Sequence, residues 1–128
     1  MINQIDVHVD GVDYKISQFP ATKALGIETR LIKLLGPAFM ELQSAATDGD
    51  GEKVLTAAIN ALIEQMDKVD VVSLIKDLVG SNVTKGTAAI NFDIEFAGRT
   101  GALFELVKEV LKANFADVFS KLGLNIGG

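Results

Sequence analysis

The chain reads as one α+β domain, mainly helical, with about five helices, an N-terminal β-hairpin and room for a third strand near residues 90–96. Three observations predict this. Apolar residues recur at three-and-four spacing through most of the chain, longest over Phe96–Leu122. Asp10-Gly11, a preferred two-residue turn, separates two alternating runs. Alternation returns at Ile90–Phe96. A chain of 128 residues fits a single domain over 1–128, and no repeat, low-complexity tract or long linker divides it.

The hairpin spans residues 5–16. With Asp10-Gly11 as the turn, Val9 faces Val12, Val7 faces Tyr14 and Ile5 faces Ile16 on one side. On the other side His8 faces Asp13 and Asp6 faces Lys15, both favourable charge pairings. The helical body follows over 21–80. Its first helix runs from about Ala21 to Leu35, with Ala24, Ile27, Leu31, Leu34 and Leu35 inward, and stops at Gly36-Pro37 because proline disfavours helical geometry in the residue before it. Pro37 is suited to open a second helix carrying Phe39, Met40 and Leu42. Asp50 is placed to cap a helix from about Glu52 to Met66, and Asp70 a short one ending near Gly80. Ser81–Ala88 reads as a polar connector, and 89–96 as an extended segment that is either a third strand or a loop packed on the core. The last helix, 101–122, is expected to be capped by Thr100 and ended by Gly123. Its stripe contains Leu103, Phe104, Val107, Val110, Leu111, Phe115, Val118, Phe119 and Leu122, and the remaining elements are expected to pack against it.

Composition excludes several functions. No cysteine is present, so disulfides and thiolate metal sites are out. A net charge of −5 makes a poor general binder of nucleic-acid phosphates. No apolar run is long enough to span a membrane, and the acidic N-terminal stretch is unlike a signal peptide. The expectation is a soluble, intracellular protein without cofactor. Its apolar fraction of 48% suggests surface to spare for a partner or for self-association into a homo-oligomer.

Catalytic readings fare poorly. His8, the only histidine, belongs to the wet side of the hairpin, where a general base would lack a pocket. Asp48-Gly49-Asp50-Gly51-Glu52 resembles the start of a calcium loop, but Lys53 and Ile59 stand where the glycine and glutamate are required. In Gly80–Gly86 the lysine precedes the second glycine, contrary to a phosphate-binding loop. Two features invite a binding role. Lys23, Arg30 and Lys33 share an arc of the first long helix, suited to an acidic partner or to an acidic helix of the same chain. Asn114 puts an amide on the apolar face of the last helix, where it must bond internally, hold the 90–96 segment or mark an interface.

Several stretches in order resemble the small tail assembly chaperones of long-tailed bacteriophages and related prophages. They are Gln18–Leu25 and Thr29–Pro37 after the Asp-Gly hairpin, then Phe96–Arg99, Leu103–Val107 and Asn114–Phe119. The resemblance implies a non-enzymatic helper in the host cytoplasm that binds the tape measure protein before the tail tube polymerises, with an extended form in many members that recruits the tube protein. It brings no catalytic residues. The candidate contacts read from this chain are Ile90, Phe92, Ile94 and Phe96, together with Lys23, Arg30, Lys33 and Asn114. The competing readings are a permanent component of the tail or baseplate, and a small enzyme with a polar pocket.

Overall fold

The computed structural model describes residues 4–47, 51–121 and 124. The order of elements is β1 (Gln4–Val9), β2 (Val12–Ser17), α1 (Ala21–Leu35), α2 (Phe39–Thr47), α3 (Gly51–Glu64), α4 (Val69–Val79), β3 (Val83–Lys85), β4 (Ala88–Ala89), α5 (Phe92–Glu95) and α6 (Thr100–Lys121), with a 3₁₀ turn at Gly36–Ala38. The α+β class is as expected, with six helices among the described residues, α5 being a single turn, and an N-terminal antiparallel strand pair.

β1 and β2 pair in the expected register, from Val9↔Val12 to Gln4↔Ser17. Asp10 (φ 52°) and Gly11 (φ 76°) both take the left-handed region that the tight turn demands. His8 Nδ1 lies 2.6 Å from Asp13 Oδ1, and Lys15 Nζ 3.2 Å from Asp6 Oδ1. The sheet continues as β1-β2-β3-β4, antiparallel throughout. The helices cover its apolar side, where Val9, Tyr14 and Ile16 are buried.

The core follows the helical periods. Ile27, Leu31 and Leu35 of α1, Leu42 of α2, Val54, Leu55, Ala58 and Leu62 of α3, and Val71, Leu74, Ile75 and Leu78 of α4 are buried together. From α6 come Leu103, Leu106, Val107, Val110, Leu111, Phe115, Val118 and Phe119, while Phe104 stays at the rim. Phe115 (φ −126°, ψ 17°) interrupts the helical geometry of α6, beside Asn114. The start of α4 differs from expectation. The residue before it is Lys68, and Asp70 lies inside the first turn, where its charge still favours the helix N-terminus. Asp50, Leu122 and Gly123, expected at helix ends, lie outside the described residues, as do Asp48 and Gly49.

The largest departure concerns 89–96. This segment is extended only at its start. The additional strands are β3, within the supposed connector, and the two-residue β4. Residues Phe92–Glu95 coil into a helical turn, capped by Asn91, whose Oδ1 accepts from Ile94 N at 3.3 Å. Phe92 and Phe96 are four apart, a spacing that fits two residues per strand repeat and also one helical turn. The residue between them decides, and Ile94 points outward, 75% exposed.

Candidate partner-binding surface

The expected contact residues divide by what they touch inside the chain. On α1, Arg30 Nη1 bonds Asp77 Oδ2 of α4 at 2.5 Å, and its Nη2 reaches Ser73 Oγ at 3.3 Å. Lys23 Nζ donates to Ser81 Oγ at 2.5 Å and lies 5.5 Å from the centre of the Phe19 ring. Both cations flank the buried stripe of α1 and fasten it to the α4–β3 region. Lys33, in the last turn of α1, is exposed.

In the 90–96 segment, Phe96 is buried, 6.5 Å from the Tyr14 ring and 5.4 Å from that of Phe92. Phe92 and Ile90 are half-buried against the core, and Lys76 Nζ sits 5.8 Å from the Phe92 ring. Of the four apolar side chains of the segment, Ile94 is the exposed one. Asn114 bonds internally. Its Oδ1 accepts from Phe19 N at 2.9 Å and its Nδ2 donates to Ser17 O at 3.4 Å. The amide thus supplies Phe19 N of the β2–α1 connector with its acceptor, and it shares Ser17 O with Asn82 Nδ2, which donates there at 3.4 Å.

A polar cluster that sequence reading missed holds the α5–α6 junction to the hairpin. Tyr14 Oη donates to Glu95 Oε2 at 2.7 Å, and Lys85 Nζ pairs with Glu95 Oε1 at 3.3 Å. Arg99 Nε donates to Asp10 Oδ2 at 3.0 Å. Its Nη1 reaches Glu95 O, Glu95 Oε2 and Tyr14 Oη at 3.0, 3.2 and 3.3 Å. The Tyr14 bond and the Lys85 and Arg99 cations hold the Glu95 carboxyl below its ordinary range, outweighing its desolvation. Burial, then the neighbouring carboxylate, pushes the Tyr14 phenol up, so Tyr14 stays neutral and donates. Tyr14, Asp10 and Glu95 raise the Arg99 guanidinium further above its already high value. Gly98 (φ 70°) makes the left-handed turn that brings Arg99 back over Glu95. The Glu95–Arg99 spacing of four was the available signal; the contacts to Asp10, Tyr14 and Lys85 are long-range and leave none.

What reaches solvent is apolar in several places. Leu25 (64% exposed), Ile32, Met40, Ile63, Val72 and Ile94 are large exposed hydrophobics. Leu25, Thr29 and Ile32 fall at i, i+4 and i+7 of α1 and form an outward stripe, away from the Lys23–Arg30 side. An open cleft of about 580 Å³ borders α4, lined by Met66, Lys68, Val72, Ser73, Lys76 and Asp77. His8 is exposed and bonded to Asp13. No group of three metal-capable side chains, and no helix long and apolar enough to cross a membrane, occurs among the described residues.

These features define a small helical scaffold whose charged residues tie its elements together while large aliphatic side chains stay outside. Residues 10–126 match the phage tail assembly chaperone protein family, TAC, and the chain belongs to that family. No curated protein and no solved structure matches the chain.

Proposed function

We propose that this tail assembly chaperone binds the tape measure protein in the host cytoplasm and keeps it soluble until the tail tube forms around it, by contact and without catalysis. The observation that carries the reading is the exposure of large aliphatic side chains on a protein of this family, above all Leu25, Ile32 and Ile94. A long amphipathic helix is captured by laying its apolar stripe on such surface. The stripe of α1, with Lys33 at its end, and the outward turn of α5 are the proposed contacts. Ile90 and Phe92 border the second of these.

The test is co-expression with the tape measure protein of the same phage. Soluble complex is expected with the unmodified chain, and Leu25→Asp with Ile32→Asp should return the partner to the pellet while the chaperone stays folded. A partner equally insoluble with and without the unmodified chain would refute the reading. Recovery of the protein in finished particles would identify a permanent tail component.

A further inference from the structure

We propose that the outer edge of β1 pairs with the same edge of a second copy of this chain, giving a two-fold dimer with one continuous eight-stranded sheet. The inference is independent of the tape measure reading. It rests on the backbone parity of the hairpin and the order of side chains along β1.

In a two-residue hairpin the pair that closes the turn, Val9 and Val12, exchanges backbone hydrogen bonds, and bonded pairs then alternate with non-bonded ones. Val9, Val7 and Ile5 therefore spend their N–H and C=O groups on Val12, Tyr14 and Ile16. The opposite parity of β2 is seen directly, since Ser17 N donates away from β1 to Asn82 O at 2.8 Å. The groups of Asp6 and His8 consequently point off the free edge. Among the described residues no strand pairs there, because β1 ends the sheet.

An antiparallel partner must place its own outward-pointing residues against Asp6 and His8, and two-fold symmetry leaves few registers. Centring the axis on Asp6 sets Asp6 against its own copy. Centring it on His8 sets Asp6 against Asp10 of the other copy. Centring it on Val7 sets Asp6 against His8 and His8 against Asp6, Val7 against Val7, Ile5 against Val9 and Gln4 against Asp10. This register has no like-charge pair, meets the bonding parity and sets each Asp6 carboxylate, an acceptor, against an imidazole that can donate to it. The carboxylate of Asp6 is 79% exposed and the imidazole of His8 66% exposed; each already meets a β2 partner, Lys15 and Asp13, through one atom (Oδ1 and Nδ1), which leaves Asp6 Oδ2 and His8 Nε2 for a strand on the other side. With the axis normal to the sheet, the apolar sides of the two copies are continuous. Ile5, 42% exposed in one copy, then gains Val9 of the other as a neighbour. Centring the axis on Ile5 also avoids like charges, setting Asp6 against Gln4, but pairs neither Asp6 with His8 nor Ile5 with Val9; the side chains that ordinarily discourage edge pairing here favour the Val7 register.

Sedimentation equilibrium of the full chain, from micromolar to millimolar, is expected to show twice the chain mass at the upper end. A monomer throughout overturns the proposal. The absence of native cysteine makes cross-linking clean. Oxidised Val7→Cys should form a disulfide dimer, because residues on the axis of a non-bonded antiparallel pair have closely spaced Cβ atoms. Ile5→Cys, which faces Val9 in this register, should cross-link several-fold less. Equal cross-linking of the two variants would overturn the register. Asp6→Pro removes an N–H that the hairpin does not use, and should give a monomer with unchanged melting. If it unfolds instead, Asp6→Lys provides the same reading by replacing the carboxylate acceptor that faces His8 with a charged donor. A persistent dimer in the folded variant would place the interface elsewhere.

Discussion

The start of α6 and its interior at Asn114 are fastened to the same hairpin by different chemistry. At the start, Arg99 reaches Asp10 in the turn and joins Tyr14 and Glu95, with the Tyr14–Phe96 ring pair beneath. Further along, Asn114 holds the exit of β2 through Phe19 N and Ser17 O, with Phe19 and Phe115 rings 5.9 Å apart. Each fastening couples a polar tie to a ring contact. The first depends on charge and is partly wet, so acid and salt weaken it. The second is neutral and supported by buried rings, so it responds to packing and to lost hydrogen bonds. The hairpin, marginal as an isolated unit, is thereby held at both its turn and its exit.

The largest effect is expected from breaking the neutral fastening. Phe115 is 1% exposed and lies where α6 departs from helical geometry. Phe115→Ala should cost about 3–5 kcal/mol, read as a lowered urea midpoint, through lost burial and a cavity. A loss below about 1 kcal/mol would mean that the rings merely fill space around a self-sufficient helix break. Asn114→Leu comes next. It leaves Phe19 N without its acceptor, while Ser17 O keeps Asn82 Nδ2 as a donor, at a cost of about 1–3 kcal/mol. That loss should be the same in low and high salt, in contrast to the other fastening.

Sequence revealed some of this and concealed the rest for physical reasons. The hairpin register was legible because Asp10-Gly11 fixes the turn and every cross-strand pair then agrees with it. Asn114 was legible as an anomaly, since its angle on α6 follows from helical spacing alone, but its partners are nearly the whole chain away. The turn at Phe92–Glu95 was hidden because alternation records where apolar residues fall and carries no information on whether a strand lies alongside. The capping capacity of Asn91 was the local clue. The cations of α1 show a similar limit. Their common arc was visible, but their engagement by Asp77 and Ser81 depends on the packing of α4.

The charged fastening is tested by Glu95→Gln. The folded-state pKa of Glu95 is depressed, so its contribution is present above the ordinary value of 4.5 and is lost as pH falls through the lower folded value. The unmodified chain should therefore lose stability on acidification below 4.5. The variant should begin lower at neutral pH and show a flatter acid limb. Gln keeps an oxygen for Tyr14 and the site is partly wet, so the neutral-pH loss should be smaller than that of Asn114→Leu. Parallel acid limbs for the two proteins would shift the acid sensitivity to other carboxylates.

The smallest stability effect separates fastening from function within the same turn. Phe96 and Ile94 are two residues apart; the first is 4% exposed and belongs to the charged fastening, the second is 75% exposed and touches neither fastening. Ile94→Asp should alter stability by no more than about 0.5 kcal/mol, yet reduce the yield of soluble tape measure protein on co-expression. Phe96→Ser should reduce that yield only by unfolding the chaperone. If Ile94→Asp lowers the melting temperature as much as Phe96→Ser, the turn is structural throughout. Partner contact would then fall to the Leu25–Ile32 stripe of α1, on a helix that neither fastening of α6 includes.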